Sequence, residues 1–255
     1  YSQYYDTKTI KQYQVGNREQ RQWVIQAANE LGLMPTTEGG LDYKMNITEA
    51  IDGYSGHEHT IPTFPLQADV IRFLAESKMV YTPTILVAYG GPWAENYWYE
   101  TEDLLGNEKL KRFTPWSDLE GKIFRRGGGG GQAGWFHPTQ HIMKPVGESI
   151  RDLIAAGGRA GVGSHGQLQG LGYHWELWSM AMGGLSNHNA LRVATQIGAD
   201  AIGLGNDVGS LEVGKLADLV VLNGNPLESL RNTTAIRLVV KNGRVYDGET
   251  LAERP

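Results

Sequence analysis

Four short stretches of this chain carry side chains able to do hydrolytic or metal chemistry. Lys11 lies in Ile-Lys-Gln-Tyr, Glu38 in Pro-Thr-Thr-Glu-Gly-Gly, His59 in Gly-His-Glu-His and His165 in Gly-Ser-His-Gly. Each stands at the end of, or just past, a run that reads as a β-strand. There is no cysteine, so a bound metal must be held by imidazole, carboxylate or a modified lysine. A neutral imidazole and a carboxylate are both competent zinc ligands. Gly39 and Gly40 let the backbone turn closely around Glu38. His57 alternates with His59 along its strand, so the two could face the same side. His165 can take a proton near neutral pH or bind a metal. Blander readings stand beside these: a surface lysine at a strand end, a loop glutamate, a structural histidine. His174, Tyr89 and Trp93, with His57, are candidate substrate-binding residues, although ordinary packing of a long loop explains the aromatics equally well. His137 and His141, four apart, read as pocket or surface residues.

These positions are spaced by alternating strands and helices, the pattern of parallel βα units. A β-segment ends near Ile10–Tyr13. A helix follows from about Arg18 to Leu31, with Trp23, Ala27 and Leu31 on one face and Gly32 ending it. Leu33–Thr37 is the next strand, and a helix around Thr48–Ile51 precedes a strand over Gly53–His59. Leu66–Ser77 reads as a helix and Val80–Val87 as a strand, with Pro83 demanding an end or an irregularity. Residues 88–140 break the rhythm, rich in Trp, Tyr and Gly, and are expected to form a long lid without regular structure, the glycine run 127–131 being a mobile tip. A helix over 142–156, a strand over 159–165 and a helix near 187–204 resume it. Strand 219–222 and a hairpin of 236–241 with 244–246 on a type I′ Asn242-Gly243 turn close the chain. The glycine run lacks the Lys-Ser/Thr of a phosphate loop. No Gly-x-Ser-x-Gly nucleophile elbow occurs.

The chain has 255 residues, 40% hydrophobic, enough for one barrel-sized domain. A net charge of −5 argues against a nucleic-acid-binding surface. No apolar run approaches the length of a membrane-spanning helix. The start at Tyr1-Ser-Gln-Tyr-Tyr, without Met or signal peptide, reads as that of a fragment or processed product.

One stretch is more specific than any of these. Gly-Ser-Leu-Glu-Val-Gly-Lys-Leu-Ala-Asp-Leu-Val-Val-Leu, residues 209–222, follows an Ala-rich helical run, and the whole from Ala190 to Pro226 resembles the C-terminal signature of the metal-dependent amidohydrolase superfamily. Lys11 in Ile-Lys-Gln-Tyr resembles the Val-Lys-x-Tyr element of its imidazolonepropionase-like and prolidase-like branch. The lysine there is carboxylated, turning a cation that repels metal into an anion with two donor oxygens. Gly53, Glu58 and His59 match the branch's Gly-x-x-x-x-Glu-His strand end. Glu38 stands where many relatives have a histidine ligand, and Ser164-His165 where the superfamily has Thr-Asp. In both features the chain is similar to amidohydrolase domains fused behind Tol-type β-propellers.

The resemblance implies an α/β fold, the C-terminal part of a (β/α)₈ TIM-like barrel over residues 1–204 with the 88–140 insertion, and a small C-terminal β-sandwich segment over 205–255. About five βα units can be counted where a full barrel needs eight. The strands that carry the family's His-x-His motif have no counterpart, since no histidine precedes His57. The resemblance further implies one or two divalent ions, most often zinc, on Lys11, Glu38, His59 and His165, with His165 also as catalytic base. The reaction is then hydrolysis of a C–N bond in an amide, cyclic amide or dipeptide. It also tilts localisation toward an extracytoplasmic setting, with no residue deciding it. The rival expectation is a non-catalytic partial barrel, an assembly subunit whose missing N-terminal portion or companion chain completes the fold, since an open parallel sheet exposes edges that favour pairing, including with copies of itself.

Overall fold

A computed structural model describes residues 2–5, 7–90, 93–125, 136–166 and 168–254. In chain order it contains α1 (Ser2–Tyr5), β1 (Thr9–Gln12), α2 (Arg18–Glu30), β2 (Met34–Glu38), α3 (Tyr43–Asp52), β3 (Gly56–Glu58), α4 (Ala68–Ser77) and β4 (Val80–Thr82). A 3₁₀ turn (Ile85–Gly90) leads to α5 (Glu95–Thr101), α6 (Glu108–Phe113) and α7 (Trp116–Arg125). Then come α8 (Met143–Ala155), β5 (Arg159–Ala160), α9 (Leu171–Ala181), α10 (Asn187–Arg192) and α11 (Gly198–Ala201). The tail is β6 (Leu219–Leu222), β7 (Ile236–Lys241), β8 (Arg244–Asp247) and β9 (Glu253–Arg254).

Strands β1 to β5 form one parallel sheet in sequence order, and β6 to β9 a separate antiparallel one. The parallel sheet is open: within the described residues β1 and β5 are its two edges and do not pair with each other. Parallel neighbours in sequence order require a crossover between each pair, which α2, α3 and α4 supply for the first three and the segment ending in α8 for β4 and β5. Their ends follow local chemistry. Asn17 and Gln20 form a capping box at the start of α2, and the Asp42 carboxylate accepts the Lys44 and Met45 amides at the start of α3. Gly53 ends α3 in the left-handed region, φ 99°, so the strand expected from Gly53 begins only at Gly56.

Three further expectations are corrected. The α2 face carrying Trp23, Ala27 and Leu31 is exposed; the helix buries Ile25 and Ala28 instead. Strand β4 stops at Thr82, because Pro83 has no amide for the ladder, and the apolar run continues as the 3₁₀ turn. Residues 88–140 are not one structureless loop: α5, α6 and α7 lie within them. The glycine run 127–131 lies outside the described residues. The Asn242-Gly243 hairpin is as expected, with both residues at positive φ, 49° and 79°, as a type I′ turn demands.

The core lies between the parallel sheet and its helices, with Ile61, Leu74, Ile85, Leu86, Ile150 and Trp175 among its fully buried side chains. The crossing of α8 with the end of α9 is as close as backbone allows. A Cβ on Gly183 would fall 1.9 Å from the Gly147 carbonyl carbon, and one on Gly147 2.6 Å from the Met180 carbonyl oxygen. From the 88–140 insertion, Trp98 stacks on Trp175 of α9 with ring centroids 6.1 Å apart. Arg231 lies over the Trp178 ring at 4.1 Å and pairs with Glu102 at 2.6 Å, joining the insertion, α9 and the C-terminal region.

Candidate functional site

Strand register puts the chemistry on one face. Lys11 of β1 is level with Thr36 of β2, Glu38 of β2 with Glu58 of β3, and Glu58 with Thr82 of β4. Since alternate residues share a face, Lys11, Glu38 and Glu58 all project from the side of the sheet opposite His57 and Tyr81. They meet there. Lys11 Nζ lies 3.2 Å from Glu38 Oε2 and 2.5 Å from Glu58 Oε2, while Thr36 donates to Glu58 Oε1 at 3.0 Å.

His59 follows β3 at φ 76°, and its Nε2 stands 3.5 Å from Glu38 Oε1. The His165 ring meets it edge-on, centroids 5.3 Å apart, from a backbone at φ 59° beyond β5. Thr84, just past β4, is also left-handed, at φ 48°. Side chains with a Cβ resist this region at a cost of about 1–3 kcal/mol, and such strain gathers at functional sites. Three successive strand ends here carry it.

The surroundings set the charges. Burial works to lower the Lys11 ammonium, but hydrogen bonds and charge from Glu58, then Glu38, outweigh it and hold its pKa above the ordinary lysine value. For His59, burial dominates and lowers the pKa; Glu38 opposes this, and the positive charge of Lys11 reinforces it. His59 is therefore neutral at physiological pH, with a lone pair to offer a ligand. A cavity of about 320 Å³ opens in front, lined by Gln14, Glu38, Gly39, His59, Thr60 and Val87 among others.

The structure thus brings together Lys11, Glu38, His59 and His165, but not the expected substrate-binding residues. His57 is fully buried, its Nδ1 2.9 Å from Glu49 Oε2, on the helix side of the sheet; one residue from Glu58, it must point the opposite way. His174 is on α9, its Nδ1 2.9 Å from Thr233 Oγ1, and lines a second cavity of about 630 Å³ with Leu110, Phe113, Leu171 and Ile236. Trp93 is 39% exposed and accepts the Ile142 amide through its carbonyl. The side chain of Tyr89 lies outside the described residues. His137 and His141 do not share a helix face, because they flank a 3₁₀ turn of three residues.

Sequence reasoning missed Gln14, whose side-chain amide donates to the Gly39 carbonyl, and Glu176 of α9. Glu176 is wholly buried and accepts the Ile85 and Leu86 amides at 2.7 and 3.0 Å, fixing the start of the turn that carries Val87 and Ala88 into the cavity wall. A buried acid inside an otherwise apolar helix was the available signal.

In donor chemistry the cluster suits a divalent cation, with a carboxylate and a neutral imidazole meeting at 3.5 Å around a point already occupied on one side by the positive charge of Lys11. Among the described residues no three His, Asp or Glu side chains are spaced to hold a metal. A third donor from this cluster would have to be Lys11 converted to an anion, or His165.

Residues 14–246 match the Amidohydrolase family. No curated protein matches the chain. Among solved structures it resembles a Xaa-Pro dipeptidase with bound methionine in the active site at 19% identity and TM-score 0.62, over 94% of this chain and 54% of that one. A putative prolidase from Bifidobacterium longum aligns at 22% identity and TM-score 0.62, over 92% and 55%. A. niger ochratoxinase aligns at 19% identity and TM-score 0.60, over 94% and 48%. The chain spans about half the length of these structures. The likeness at these identities is one of fold, the TIM-barrel type, of which the open five-stranded sheet is a part.

Proposed function

The chain belongs to the amidohydrolase family, and from that premise we propose that it is the C-terminal part of a metal-dependent hydrolase of C–N bonds. The substrate is a small amide, cyclic amide or dipeptide. Residues 1–204 are assigned to the partial barrel with its insertion and 205–255 to the C-terminal β-segment. The observation that carries the reading is the meeting of Lys11, Glu38, His59 and His165 beside one cavity, from the carboxyl-terminal side of four parallel strands.

Glu38, His59 and Lys11 in its carboxylated form would hold the ion, zinc by donor type, with His165 at its side. When bound, such an ion supplies Lewis acidity toward the scissile carbonyl and lowers the pKa of water. His59 offers Nε2 because burial keeps it neutral. Glu58 pairs with Lys11 at 2.5 Å and counters its charge while it is an ammonium. Carboxylation would add carbon dioxide to the uncharged amine with release of a proton, and Glu58 and Glu38 oppose it by favouring the ammonium. His165, within reach of His59, takes the proton of the attacking water and returns it to the departing amine.

The test is amine release from a panel of Xaa-Pro dipeptides, N-acyl amino acids and cyclic amides by the zinc-loaded chain. Activity that is lost in Glu38→Ala and His59→Ala supports the reading; a chain that takes up zinc and cleaves none of the panel overturns it.

One observation favours a second reading. Strand β1 is an open edge within the described residues, and Tyr13, Val15 and Trp23 close to it are more than half exposed. The chain is then an assembly subunit completed by a preceding segment, a companion chain or its own copy. Light scattering on the purified chain separates these: a stable inactive monomer opposes assembly, and a defined complex supports it.

A further inference from the structure

The expected substrate contact His57 has another use. Glu58 shares the face of Lys11 and Glu38, so the neighbouring His57 faces the helix layer, where α3 presents Asn46 and Glu49, three apart on one side of the helix. All three side chains are buried: His57 and Asn46 completely, Glu49 to 2% exposure. Glu49 Oε2 fixes His57 Nδ1 at 2.9 Å, while His57 Nε2 has no hydrogen-bond partner. That free edge of the ring lies against Gly39. A Cβ on Gly39 would come within 2.3 Å of both Cε1 and Nε2.

Asn46 completes the grip. Its Oδ1 accepts the Gly40 amide at 2.9 Å, and its Nδ2 donates to the Gly40 carbonyl at 2.8 Å. On the other side the Gly39 amide donates to the Glu58 carbonyl at 2.8 Å, extending the β2–β3 ladder one residue past Glu38. Burying an acid and an imidazole carries a desolvation cost that an apolar pair of similar size would avoid. Packing alone therefore does not account for the pair, whereas a ring whose plane is set by a carboxylate gives Gly39 one fixed surface to rest on.

We propose that the Glu49–His57 pair, with Asn46 beside it, positions Glu38 by holding the Glu38–Gly40 turn from behind the sheet. The role rests on the reading of Glu38 as a metal ligand. These are positioning residues: none of the three lines the cavity, and each acts through the backbone that follows Glu38. Gly39 is glycine because His57 leaves no room for a Cβ, which makes the contact testable by suppression.

The test compares wild type with Gly39→Ala, His57→Ala, their double variant and Asn46→Ala. Zinc affinity is measured by chelator competition, and exchange of the Gly39 and Gly40 amides by NMR. Outer partners of metal ligands typically matter about tenfold or more in affinity. Gly39→Ala and Asn46→Ala are expected to weaken zinc by about that factor and to speed amide exchange at the turn, while exchange in α8 stays unchanged. In the double variant His57→Ala makes room for the new methyl and recovers most of the loss. If His57→Ala does not fold, Asn46→Ala and Glu49→Gln carry the same comparison. Unchanged exchange of both amides in Asn46→Ala, or losses in Gly39→Ala and His57→Ala that simply add, overturns the proposal. A wild type that binds no zinc, with turn exchange still faster in Asn46→Ala, keeps the positioning role and refutes the ligand role of Glu38.

Discussion

Glu176 makes a prediction whose size follows from its surroundings. Its carboxyl is entirely buried and bonded to the Ile85 and Leu86 amides, yet burial outweighs those bonds and pushes its pKa up to about 8. A carboxyl whose folded pKa is raised gives stability that is fully present below its ordinary value and is lost as pH rises toward the folded one. Between those limits the unfolded chain has released the proton and the folded chain has kept it, so stability falls by about 1.4 kcal/mol per pH unit. From about pH 5 to about pH 7 this single group removes roughly 3 kcal/mol. Glu176→Gln cannot titrate. It carries a fixed cost of about 1–3 kcal/mol, because its amide nitrogen must face one of the two backbone donors. Urea unfolding followed by tryptophan fluorescence, at several pH values, gives both stabilities, and other groups cancel in the difference. The wild type should lead near pH 5 and lose that lead, or fall behind, near pH 7. A difference independent of pH would refute the placement of a neutral acid at this position.

Two further tests probe the scaffold and the second cavity. Gly147→Ala places a methyl 2.6 Å from the Met180 carbonyl oxygen, a backbone contact no rotamer relieves, and should cost about 1–3 kcal/mol in thermal unfolding; an unchanged melt would mean that α8 and α9 can separate freely. His174 is depressed to about 4, by burial first and by the charge of Lys109 second. The Thr233 hydroxyl already donates to Leu230, so the His174 imidazole must donate Nδ1–H to it. Stability tied to this neutral ring is present above the ordinary histidine pKa and lost as pH falls toward 4, and the ring resonances should stay neutral at about pH 5 in an NMR titration. A midpoint near that of free histidine would contradict the buried, hydrogen-bonded ring.

The sequence was most legible where chemistry is local. Pro83 announced an end or irregularity, although the strand was read on to Val87; Asn242-Gly243 announced its hairpin, and Glu38 before two glycines announced a tight turn at a strand end. Lys11, Glu38, His59 and His165 could be picked out because each stands at or just past the end of a strand, and parallel strands bring their ends together. What escaped depended on direction. His57 and His59 alternate and were read as sharing a face, but His59 leaves the strand at positive φ while His57 turns to α3. His174 was read into the same pocket as His165, although the turn before α9 sends it toward Thr233. In α2 the apolar stripe of Trp23, Ala27 and Leu31 was outvoted by Ile25 and Ala28, since one helix offers two plausible apolar faces and only the sheet chooses between them. The partners Gln14, Asn46, Glu49 and Glu176 carry no motif, and they become visible only once the backbone groups they serve have been located.

The central claim is that Glu38, His59 and Lys11 hold a metal. Elemental analysis after zinc loading and exhaustive dialysis tests it, on wild type, Glu38→Ala, His59→Ala and Lys11→Ala. Near-stoichiometric zinc in wild type that is lost in each variant, with cooperative unfolding retained, is the predicted result. Zinc absent from wild type, or present equally in all four proteins, would contradict it.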